Sequence, residues 1–131
     1  MLLLAACGGG GNTTPTPTAV QTPDLKTRPS SPATLQISSP AANSTVTGSS
    51  IHVVVALQNA TVVKTTSTNI TATEGHVHLY LDNQLIYMQY SLAQDVPVKP
   101  GVYTLKAEFV AGDHFPFNPR VYSSDVLFTV K

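Results

Sequence analysis

Cysteine is almost absent from this chain. Cys7 is the single one among 131 residues, so no intrachain disulfide can form. Tryptophan is missing altogether. Charge is scarce as well: seven basic and seven acidic residues cancel to a formal net charge of zero. Without a basic stripe, nucleic acid is excluded as a partner. No window keeps apolar residues at spacings of three and four, so little or no helix is expected. Several chemistries lack their signatures. There is no Cys-x-x-Cys or His-Glu-x-x-His metal motif, no Gly-x-Ser-x-Gly elbow and no phosphate loop after a strand. Asp, His and Ser are present, but no spacing selects a triad. The chain reads as a non-enzyme.

What fills the chain instead is Thr, Ser, Asn, Pro and Val. The start, Leu4-Ala5-Ala6-Cys7, resembles the lipobox of bacterial lipoproteins, with apolar residues before it and a flexible polar run after. The resemblance implies that residues 1–7 are the remnant of a signal peptide with its cleavage site, and that Cys7 carries lipid. It places the protein on the extracytoplasmic face of a bacterial cell envelope, with the membrane as partner through Cys7. Residues 8–33 then read as a disordered Thr/Pro/Gly-rich linker. Four glycines open it, and Pro15, Pro17, Pro23, Pro29 and Pro32 oppose regular structure. As a coil its ends lie about 30 Å apart, and extended polyproline reaches about 80 Å. A segment that buries almost nothing is expected to add little to stability.

The folded part is expected at 34–131, all-β. Period-2 alternation predicts strands at 35–38, 51–57, 102–109 and 123–130, with weaker pieces at 45–46, 62–63 and 96–98. The clearest element is Gly75 to Tyr90, a β-hairpin. Val77, Leu79 and Leu81 alternate with His76, His78 and Tyr80, and Asp82-Asn83 forms the tip because both residues tolerate positive φ. The stretch 111–120 reads as a long loop. About seven short strands predict an immunoglobulin-like β-sandwich, a term of architecture only, since the usual disulfide and Trp are lacking. Pro100-Gly101-Val102-Tyr103-Thr104-Leu105 resembles the start of strand F in such domains, where a Tyr bonds back to nearby backbone. A plain core aromatic is the equal alternative.

The histidines are the candidate site. With Val77, Leu79 and Leu81 facing the core, His76 and His78 share the opposite face. In sandwich topology the loop containing His114 meets the start of that strand, whereas His52 begins a strand at the other end. His76, His78 and His114, with Glu74 and Asp113 nearby, could thus ligate copper or zinc. The alternative is structural: the rings bond Asp113, Tyr80 or loop carbonyls and pin the long loop. Gly-His-Val-His-Leu, Pro-Gly-Val-Tyr-Thr-Leu and His-Phe-Pro resemble an uncharacterised family of exported bacterial domains that pair a Gly-His-x-His-Leu hairpin with a His-x-Pro loop. That resemblance implies an exported sandwich, without an activity. The expectation is a monomeric membrane-anchored binding or structural module with a protein partner and no firm cofactor. Copper or zinc binding is the alternative.

Overall fold

The structure, a computed structural model, describes residues 22–131, and of residues 87–89 the backbone only. Cys7 and the stretch 8–21 lie outside the described residues. Ten strands follow a single 3-10 turn at Leu25–Thr27: β1 (Thr34–Ser39), β2 (Ser44–Val46), β3 (Ser50–Gln58), β4 (Thr61–Val62), β5 (Glu74–Leu81), β6 (Gln84–Gln89), β7 (Ala93–Pro97), β8 (Gly101–Ala111), β9 (Pro116–Tyr122) and β10 (Val126–Val130). A three-stranded sheet has the order β1-β3-β7. A seven-stranded sheet has the order β2-β10-β8-β5-β4, with β6 on β5 and β9 on β8. β2 runs parallel to β10, and β10, β8, β5 and β6 are antiparallel neighbours. This is an immunoglobulin-like sandwich, with β5 and β6 as the C and C′ strands and β8 and β10 as F and G.

Alternation decides which side chains enter. Ile51, Val53 and Val55 of β3 meet Val77 and Leu79 of β5, Leu105, Ala107 and Phe109 of β8, and Phe128 of β10 in one core. Full burial of each larger aliphatic or aromatic side chain contributes roughly 1.5–3 kcal/mol. Phe109 stacks on Phe117, with ring centroids 5.5 Å apart, which ties β9 to the core. The hairpin tip is as the sequence predicts: Asp82 and Asn83 have φ of 51° and 64°, the two positive values a type I′ turn needs.

Tyr103 resolves in favour of the corner. Its hydroxyl donates to the Lys99 carbonyl over 2.8 Å, while its ring packs on Phe128 at 5.7 Å. The bond closes the β7–β8 connection at the end of the sheet opposite Ala111.

Two expectations are corrected. The stretch 111–120 is not a long loop: a short turn leads into β9, which pairs Val110 with Pro116 and Glu108 with Tyr122. Pro119 fits there because β9 lies at a sheet edge, where a missing donor costs no ladder bond. The folded unit also begins before Thr34. Ala33 is buried in the core, Ser31 donates to the Ala72 carbonyl, the Asn118 amide donates to the Pro29 carbonyl, and Arg28 is locked in an ion pair with Asp113. Residues 28–33 are part of the domain because they cover its edge with hydrogen-bonded backbone.

Tyr103→Phe removes the corner hydrogen bond and keeps the ring. It should lower stability by about 1 kcal/mol, the net worth of such a bond, read as a shifted midpoint in urea unfolding with unchanged slope.

Candidate functional site

The register of β5 on β8 sets the site. Gly75 pairs with Ala111, His76 with Val110 and His78 with Glu108. Val77 and Leu79 point into the core, so His76 and His78 project from the outer face of the large sheet. Such a face is ordinarily wet, yet His76 is fully buried and His78 is 6% exposed. The cover is the turn between β8 and β9, which curls back over the face. Gly75 permits the close approach beneath it, since a Cβ there would collide with the Val110 carbonyl oxygen. His114 takes a left-handed conformation, φ 67°, and this turns its ring inward over β5.

Three imidazoles meet as a result. The His114 ring lies flat on His76, centroids 4.1 Å apart and planes within 7°. Its Nδ1 faces His78 Nε2 at 3.3 Å, and its Nε2 faces Thr66 Oγ1 at 3.1 Å. Tyr90 stands edge-on to His76, with centroids 5.2 Å apart. His76 Nε2 donates to the Gly112 carbonyl over 3.3 Å. A proton on Nε2 makes that bond, and Nδ1 is buried with no partner among the described residues.

The turn is held from outside by Arg28. Its guanidinium grips both oxygens of Asp113, at 2.7 and 2.8 Å, and donates to the carbonyls of Phe115 and Pro116. Both side chains are largely buried, 7% and 16% exposed, so the pair is shielded from the screening that weakens surface bridges. Arg28 and its hydrogen bonds to Asp113 hold the Asp113 carboxyl below its ordinary value, against burial, the largest influence, which acts upward.

The predicted residues therefore separate. His76, His78 and His114 come together. Asp113 neighbours them in sequence but faces Arg28. Glu74 accepts from Thr71 on the exposed side of the adjoining loop. His52 lies on the small sheet, bonded to Asp95 at 2.7 Å and exposed. Among the described residues no group of three or more His, Cys, Asp or Glu side chains is arranged to hold a metal ion. The stacking explains this: a metal lies in the plane of a ring that ligates it, and two rings in face-to-face contact cannot share one ion. Of the three-histidine set, His76 and His114 cannot serve together as they stand.

Sequence reasoning missed Arg28, Thr66 and Tyr90. It also missed a polar row beside the histidines. Glu108, 1% exposed, accepts from Tyr80 Oη at 2.9 Å and Arg120 Nη1 at 3.0 Å. Burial, then the bond to Glu108, pushes the Tyr80 hydroxyl up to about 12. This row lies at the position that β5–β8 pairing assigns next to His78. No protein-family model, curated protein or solved structure matches this chain.

Burial, followed by repulsion from His114 and His76, lowers His78 from 6.5 to about 4. His114 is lowered by burial, then by repulsion from His76, with Asp113 opposing. A base whose folded value is depressed binds fewer protons folded than unfolded. Stability is therefore full above pH 6.5 and is lost progressively as pH falls from 6.5 to about 4. Asp113 adds its own loss only below that window. Urea midpoints measured from pH 7 to 4 should fall, and His78→Gln should flatten the decline.

Proposed function

We propose that this chain is a membrane-anchored extracytoplasmic lipoprotein that presents a β-sandwich binding module, with the histidine end as its binding end. The observation that carries the second half is the burial of three imidazoles on the outer face of the large sheet. The core does not need them there, and burying polar rings costs stability unless they are bonded or used. One has no partner for its second nitrogen among the described residues. Binding sites concentrate at such loop-covered ends of rigid scaffolds. The reading includes no catalytic step.

The anchoring half rests on Leu-Ala-Ala-Cys followed by a Thr/Pro/Gly-rich stretch. Two or three acyl chains give stable membrane attachment, where one is marginal. Expressed in a bacterium with its native upstream region, the protein should fractionate with membranes, and Cys7→Ser should move it to the soluble fraction. If both forms are soluble, Cys7 is no anchor.

A second reading, metal binding with copper or zinc as cofactor, is favoured by one distance: two ring nitrogens, His78 Nε2 and His114 Nδ1, face each other with no other group between them at 3.3 Å. Neutral imidazole nitrogen is a good ligand for both metals. Calorimetric titration of the Cys7→Ser chain with Zn²⁺ and Cu²⁺ tests it. Binding should weaken at least tenfold in His78→Ala and His114→Ala and stay unchanged in His52→Ala. No heat from either ion down to about 10 μM, near −7 kcal/mol, would leave the histidines as pins of the β8–β9 turn.

A further inference from the structure

The two facing nitrogens have a geometry that distinguishes between metals. The centroids of His78 and His114 are 5.6 Å apart and their planes differ by 17°. That separation is the 3.3 Å nitrogen gap plus one ring radius at each end. Both nitrogens therefore lie close to the line joining the centroids. The rings are not stacked on each other; they meet end to end, nearly in one plane. A proton shared along that line is the simplest occupant.

We propose that the cargo of this end is monovalent copper, held in linear two-coordination between His78 Nε2 and His114 Nδ1. The proposal rests on the reading that the histidine end binds metal, and it names the ion. A metal–nitrogen bond is about 2 Å, so a linear N–metal–N unit spans about 4 Å. The present gap of 3.3 Å needs to open by about 0.7 Å to reach that span, with no rotation of either ring. Closed-shell monovalent copper accepts two collinear ligands. Zinc takes four, tetrahedrally. It would need the rings to bend toward each other and two further donors. Among the described residues the nearby carboxylates are committed: Asp113 to Arg28, Glu108 to Tyr80 and Arg120, Glu74 to Thr71. His76 presents its face, not a lone pair, to the His114 ring.

The ligation consumes no redox partner. When copper enters, the proton on whichever facing nitrogen carries it passes to the far nitrogen of the same ring. For His114 that nitrogen is Nε2, which can then donate to Thr66 Oγ1. His114 is half-buried, which gives the ion a path from solvent. Arg28 is the positioning residue. It touches neither nitrogen, but its bonds to Asp113, Phe115 and Pro116 fix the turn on which His114 rides.

The test uses the Cys7→Ser full chain, so that no thiol competes. Copper(I) is supplied anaerobically against a chromogenic chelator, and the loaded protein is measured by X-ray absorption at the copper edge. Expected are two nitrogen ligands in a linear site and a dissociation constant below about 1 μM. His78→Ala and His114→Ala should weaken copper(I) about a hundredfold. Arg28→Gln should weaken it about tenfold, within the range for groups that orient a ligand without touching the metal. His52→Ala, exposed on the small sheet, should change it by less than threefold. Zn²⁺ should bind at least a hundredfold more weakly than copper(I). Three or four ligands in the absorption spectrum would overturn the proposal, as would zinc binding of equal strength or a His52→Ala loss as large as that of His78→Ala. Binding of Zn²⁺ or Cu²⁺ at the histidines without copper(I) would overturn it and leave the metal reading standing. Failure of all three ions would overturn both.

Discussion

Everything at the histidine end depends on the ladder between β5 and β8. Seven consecutive pairs run from Gly75–Ala111 to Leu81–Leu105. One face of that ladder supplies Val77, Leu79, Leu105, Ala107 and Phe109 to the core. The other carries His76, His78, Tyr80 and Glu108. Because side chains alternate with a period of two, a slip of one residue would exchange the faces and put imidazoles into the core. The burial of the apolar set therefore fixes the placement of the polar set. Neither the chemistry nor the cover of the outer face has to specify it.

The cover is a separate device. A turn curling over a sheet exposes its own backbone groups to competition from water, and a turn of this length has little apolar surface to hold it down. Here its carbonyls and its carboxylate converge on one guanidinium, drawn from 85 residues earlier in the chain. Arg suits this role because its planar fork can satisfy a carboxylate bidentately and still reach carbonyls at the sides. The Ser67 amide and His76 both donate to the Gly112 carbonyl, which anchors the other flank of the turn.

The sandwich was legible because it rests on local patterns. Alternation located β3, β5, β8 and β10, Asp82-Asn83 located the hairpin tip, and the Pro-Gly-Val-Tyr run located the corner bond of Tyr103. The grouping of His76, His78 and His114 followed from topology, since strand order decides which loops share an end. The misses have physical causes. β9 was obscured by Asn118-Pro119, which reads as a turn unless the strand is known to sit at an edge. Arg28 was hidden by the composition around it. A segment rich in Pro and Thr buries little on average, and an average conceals one residue with a long-range partner. Ring orientation was not legible at all. Whether three histidines chelate, stack or meet end to end depends on the φ of His114 and the curl of its turn, and no spacing encodes either.

The two ends of the folded unit lie at opposite ends of β8. The chain enters at Arg28, against the turn that carries His114. Lys131 exchanges backbone bonds with Val46 and Gly48, beside Gly101, at the far end of an eleven-residue strand roughly 35 Å long. A surface or label attached ahead of Arg28 therefore crowds the turn that covers the imidazoles, while one attached at Lys131 leaves that turn clear. For any immobilised assay of this domain, the point of attachment decides whether the histidine face looks toward the support or away from it.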